Sequence, residues 1–103
     1  MLKHIVMFKV KDFAEGADKG ENIQRIKSKL EALPGMIEEI RFFEVGINSI
    51  NNGVAYDLVL CSEFDGKEEL FRYQKHPEHV KVVEFVNKVC ENRAVVDYVL
   101  DGI

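Results

Sequence analysis

With 103 residues, 47% of them hydrophobic and 31% charged, the chain has the make-up of one ordinary globular domain and no room for a second core. A net charge of −4, with Lys3, Lys9, Lys11, Arg25, Lys27 and Lys29 interleaved among other residue types, excludes a phosphate-neutralising surface, so nucleic acid is not an expected partner. No apolar stretch approaches the roughly 20 residues that span a bilayer, so no membrane is expected either.

Residues 2–11 alternate with the period of a strand. Leu2, His4, Val6, Phe8 and Val10 share one face; Lys3, Ile5, Met7, Lys9 and Lys11 share the other, which is mixed rather than polar. The chain enters this strand directly from Met1, which leaves no room for a leader, and the expected compartment is the cytoplasm. Residues 12–20 are polar with two glycines and read as a loop. From Glu21 the period lengthens: Ile23, Ile26, Leu30 and Leu33 form one helical stripe, which Pro34-Gly35 ends.

Residues 40–47 and 56–64 read as two further strands joined by a turn, most simply an antiparallel hairpin. Asp65 is expected to cap a short helix through Leu70, Phe71 and Tyr73. His76-Pro77 breaks it and starts another, with Pro77 at the first helical position. That helix carries Val82, Val83, Val86, Val89 and Cys90 on one face and is expected to run to about Asn92. Residues 94–101 are the last strand. Cys61 and Cys90 lie in apolar runs, away from any redox or metal spacing, and read as small hydrophobes.

The order β-α-β-β-α-β predicts an α+β fold, a ferredoxin-like split βαβ unit with a four-stranded antiparallel sheet, in a single domain over residues 1–103. In such a unit the helices cover one sheet face and the other faces water. Here both faces of every strand carry Ile, Val, Leu, Phe or Met, more than a monomer leaves exposed. A second copy on a two-fold axis is the simplest cover, giving a dimeric α+β barrel.

Three histidines and a tyrosine carry the candidate chemistry. His4 shares its face with Leu2, Val6 and Phe8, and His79 lies on the apolar stripe of the last helix. Taken singly, each is more often a hydrogen-bonded core residue than a catalyst. His76, at a helix junction, suits a capping role. Together with Tyr73, however, His4 and His79 could line one cavity between helices and sheet. An imidazole can exchange a proton near neutral pH, and a phenol can hold a carbonyl or stabilise an enolate. Asp97, in the last strand, needs a partner, for which a backbone N–H or a basic side chain is the simplest candidate. No P-loop or dinucleotide fingerprint is present, and the histidines are too widely spaced to suggest a metal, so no cofactor is expected.

Lys3-His4-Ile5-Val6, Phe43-Glu44-Val45-Gly46, Ser62-Glu63-Phe64, Val95-Val96-Asp97-Tyr98 and above all Tyr73-Gln74-Lys75-His76-Pro77-Glu78-His79 resemble the stress-responsive dimeric α/β-barrel (Dabb) family over essentially the whole chain. The resemblance implies a homodimeric barrel binding a small hydrophobic, aromatic or polyketide-like molecule. It also implies kinship with plant stress proteins, with polyketide cyclases and with many bacterial members of no known activity. By resemblance to the cyclases, His79 would be the acid/base and Tyr73 the oxygen ligand, with His4 and His76 near the substrate. The cyclases carry a further histidine on the third strand where this chain has Leu58. Two other readings stand beside these: a structural stress-protective oligomer, and a cofactor-free monooxygenase of the related dimeric barrel class.

Overall fold

In the computed structural model, which describes residues 1–100, the first strand β1 (Leu2–Val10) repeats its sequence alternation as an alternation of burial. Leu2, His4, Val6, Phe8 and Val10 are buried, while Lys3, Ile5, Met7 and Lys9 turn to the opposite side. The segment expected to be a loop contains a small hairpin, β2 (Phe13–Ala14) and β3 (Ala17–Asp18). Glu15 and Gly16 both take positive φ (49° and 73°), as a two-residue hairpin turn requires.

Helix α1 (Lys19–Glu31) starts two residues before Glu21, because Asp18 supplies the N-cap and its carboxylate accepts the Glu21 N–H at 2.9 Å. Its stripe of Ile26 and Leu30 is buried, continued by Leu33 in a 3₁₀ turn (Leu33–Gly35). Burying each such side chain stabilises the fold by about 1.5 to 3 kcal/mol. Asn22 is buried on the same helix, and its amide donates to Ala14 O at 2.9 Å, fastening the hairpin to α1.

Strands β4 (Phe42–Ile47) and β5 (Leu58–Phe64) form the expected antiparallel hairpin, both starting two residues later than their apolar runs. Helix α2 (Lys67–Lys75) follows, but Asp65 does not cap it. Gly66 occupies the N-cap, and Asp65 instead takes both Nε and Nη2 of Arg41, at 2.9 to 3.2 Å. The charge-assisted fork outcompetes a single bond to a backbone N–H.

Helix α3 (Pro77–Val89) begins at Pro77 and ends three residues before Asn92. Cys90 turns extended and opens β6 (Cys90–Val99), where it pairs with Val10 across a bulge that leaves Glu91 of β6 unmatched. Ladder bonds to β1 take residues 90–92 from a helix that periodicity alone would continue. At its far end the predicted extension to Asp101 lies outside the described residues. None of the helices among the described residues is long and apolar enough to cross a membrane.

The sheet order is β4-β5-β1-β6, antiparallel throughout, as a ferredoxin-like fold requires. On the face under the three helices, Leu2, Val6 and Phe8 join Leu58, Leu60, Phe64 and Val45 in one core. Cover thins toward β6, where Val95 and Val99 share this face and remain exposed. Across the sheet, Ile5, Met7, Val59, Cys61, Val96 and Tyr98 form a face with no helix over it.

Candidate functional site

Strand alternation points His4 into the helix-covered layer, 5% exposed, between the packed side chains of Leu2 and Val6 on the same strand. Its Nδ1–H donates to the carboxylate of Asp97, the residue directly opposite on β6. Its backbone carbonyl accepts the Ser62 hydroxyl from β5 at 2.9 Å, so both neighbouring strands hold this position. Because Nδ1 is the donor, Nε2 carries the lone pair of the neutral ring.

The last turn of α2 drives Tyr73 into the same layer, with 0% of its surface exposed. Its ring lies 4.9 Å from that of Phe64, 6.1 Å from Phe43 and 6.2 Å from His4, all centroid to centroid. The phenolic hydroxyl is buried and makes no hydrogen bond. Burial also raises the phenol's pKa above its ordinary 10, so the group stays protonated and can only serve as a neutral donor or acceptor.

His76 and Pro77 turn the chain between the helices and bring His79 back over Tyr73, ring centroids 4.3 Å apart. His79 Nδ1 donates to the Gln74 carbonyl at 3.1 Å, which fixes Nε2 as the basic nitrogen of the neutral ring. The ring is half-buried, and burial pushes its pKa below 6.5; the Arg93 guanidinium pushes it the same way, against the Gln74 bond. A neutral His79 with a free Nε2 is the form that accepts a proton.

These groups share a cavity of about 380 Å³ between α3 and the sheet, a size that suits a small organic ligand. His4, Tyr73 and His79 line it beside the aliphatic walls of Val6, Leu60, Val82 and Val86, with Gln74, Glu84 and Arg93 among its polar lining. The three residues expected to meet therefore do meet. His76 does not join them: its Nδ1 accepts the Glu78 N–H at 3.1 Å, capping α3, and it does not line the cavity. Leu58 also stays in the core, away from the cavity wall. Among the described residues no cluster of His, Cys, Asp and Glu comes together that could hold a metal ion.

Two residues of the site escape a reading of the sequence alone. Asp97 calls for a backbone N–H or a basic side chain as partner, and of these the structure supplies the His4 imidazole, which the sequence does not single out. Alternation puts Asp97 in phase with Val95 and Val99, and this is the available signal that it shares a face with His4. Arg93, in the same phase, gives no signal of its own.

The sequence matches the model of the stress-responsive A/B barrel domain family over residues 2–100. It is 33% identical over its full length to a stress-response A/B barrel domain-containing protein of Arabidopsis thaliana, and spans 38% of that relative's length. A dimeric protein of unknown function with a ferredoxin-like fold from Bacteroides fragilis superposes with a TM-score of 0.82 at 40% identity, over 94% of this chain and 93% of that one. Hydroxynitrile lyase from Passiflora edulis shares the fold alone, with a TM-score of 0.81 at 15% identity over 99% and 94% of the two chains. Fold, motif segments and match agree over nearly every described residue: the chain belongs to the stress-responsive A/B barrel domain (Dabb) family.

Proposed function

We propose that this chain binds a small hydrophobic or aromatic molecule in the cavity under α3, and does so as a homodimer joined through the uncovered sheet face. The observation that carries the binding reading is Tyr73, a residue lining the cavity whose hydroxyl is buried and unpaired. A buried hydroxyl without a partner costs free energy, and a ligand carbonyl or hydroxyl placed against it would recover that cost. The aliphatic walls would take the ligand's apolar body.

The dimer reading rests on Met7, Phe42, Val96 and Tyr98, all more than two-fifths exposed on the uncovered face, and on the dimeric state of the Bacteroides fragilis neighbour. Two such faces packed together would close a barrel. The free thiols of Cys61 and Cys90 fit a reducing compartment such as the cytoplasm.

Proton transfer is a second reading, favoured by the His79 tautomer. Nε2 of His79 would remove a proton next to a ligand carbonyl, and the Tyr73 hydroxyl would hold the enolate oxygen that results. His4, oriented by Asp97, would hold the ligand or the other end of the proton path.

The binding reading is tested by thermal unfolding with 1-acetonaphthone, an aromatic ketone. Stabilisation that grows with ligand concentration, and that Tyr73→Phe weakens, is the expected result. No shift with this ketone or with naphthols, up to their solubility limits, would overturn it.

A further inference from the structure

Arg93 stands on β6 directly opposite Phe8, on the sheet face turned toward the helices. Its neighbours in phase along that face are Val95 and the cavity it helps to line. The chain's other arginines are each matched with a carboxylate: Arg25 with Glu21, Arg41 with Asp65, and Arg72 with Glu68 and Glu69. The Arg93 guanidinium makes no ion pair or hydrogen bond among the described residues, while its backbone N–H donates to Asn92 Oδ1 at 2.8 Å.

We infer that Arg93 makes this cavity selective for an apolar ligand bearing one carboxylate, an inference that rests on the small-molecule reading above and names its ligand class. A guanidinium is a planar fork of donors, weakly hydrated and matched to the two oxygens of a carboxylate. Placed beside aliphatic walls, it offers a charged end to a ligand whose body is buried. The Tyr73 hydroxyl supplies a second polar contact, so ligand orientation would be set at two points. Glu84 also lines the cavity and does not pair with Arg93. Both side chains are exposed, Glu84 on α3 and Arg93 on β6, so water screens both charges, and Glu84 weakens the modest attraction for an anion without reversing it. The same positive charge acts on His79, which places Arg93 within electrostatic reach of the catalytic candidate.

The test compares two probes of nearly equal shape, 1-naphthoate and the neutral 1-naphthamide, by calorimetric titration at neutral pH. The expected result is that wild type binds the acid about fivefold more tightly, the upper range for an exposed charge pair. Arg93→Gln should bring the two affinities within about twofold, chiefly by weakening the acid, and Glu84→Gln should strengthen the acid. Equal affinity in wild type, with both probes bound, would overturn the role of Arg93 and leave the small-molecule site standing. A preference that survives in Arg93→Gln would also overturn it. If neither probe bound, and 1-acetonaphthone did not bind either, the site reading and this inference would fall together.

Discussion

His4 and Asp97 sit opposite each other on neighbouring antiparallel strands, 93 residues apart, with the imidazole Nδ1–H donated to the carboxylate. The histidine is buried and the carboxylate partly exposed, so the bond ties a core side chain to the thinly covered edge of the sheet. Asp97→Ala would leave the buried N–H without its partner and is expected to cost about 1 to 3 kcal/mol. Asp97→Asn keeps an acceptor oxygen and should cost less. Urea denaturation of the three proteins measures both; a neutral Asp97→Ala would show that the pair carries no weight in the fold.

Tyr73→Phe is expected to behave in an unusual way for a fully buried position. Removing an unpaired hydroxyl relieves its desolvation cost, so the ligand-free protein should be as stable as wild type or up to about 1 kcal/mol more stable. Tyr73→Ala, by contrast, removes the ring that packs on Phe64, Phe43 and His79, and should cost about 3 to 5 kcal/mol. A clear loss of stability in Tyr73→Phe would mean that the hydroxyl is paired in solution.

The His79 ring makes stability depend on pH with a definite sign. Its folded-state pKa lies below 6.5, so as pH falls the unfolded chain takes up the proton first. The contribution of neutral His79 is fully present above 6.5 and is lost as pH falls from there through the lower folded value. His79→Gln should therefore show a shallower loss of stability than wild type on acidification from about pH 7.5 to pH 5. Parallel denaturation curves for the two proteins across that range would contradict the assigned shift.

His76→Ala should separate a cap from a binding residue. Loss of the bond to the Glu78 N–H is expected to cost about 0.5 to 2 kcal/mol, the usual range for a helix N-cap. Affinity for 1-acetonaphthone should stay unchanged, since His76 does not line the cavity. A large fall in affinity with unchanged stability would return His76 to the binding site.

Val96 provides the test of the proposed dimer. It is 54% exposed in the single chain and lies across from Ile5 on the uncovered face. Val96→Asp should be tolerated by an isolated protomer but would bury an unpaired charge in a face-to-face dimer. Light scattering at micromolar concentration is expected to give a dimeric mass for wild type and a monomeric mass for the variant. A dimer that survives the substitution would place the interface elsewhere.

Much of the layer arrangement is legible without coordinates, because it depends on local periods. Two-residue alternation assigns Leu2, His4, Val6 and Phe8 to one side whatever they pair with, and the stripe of Ile26, Leu30 and Leu33 identifies the buried side of α1. Element ends are less legible. Cys90 fits the apolar stripe of α3 as well as it fits a strand, and only ladder pairing with Val10 resolves the choice. Asp65 has the chemistry of a cap, but a guanidinium 24 residues back in the chain claims it first.

The same division runs through the site. The spacing of Tyr73, His76, Pro77 and His79 determines by itself that a bend follows Tyr73 and that His79 lies within one helical turn of the helix start, so the two rings are brought near each other by local geometry. The alternation of β1 likewise determines that His4 enters the covered layer. What only the tertiary structure decided is which residue of β6 stands opposite each residue of β1. Sliding β6 by two residues would keep every side chain on its face while giving His4 a valine in place of Asp97. That register comes from the packing of the whole sheet and from the bulge between Lys9 and Val10. It matches Asp97 to His4 and sets Arg93 beside the cavity, because these contacts join segments that no local period relates.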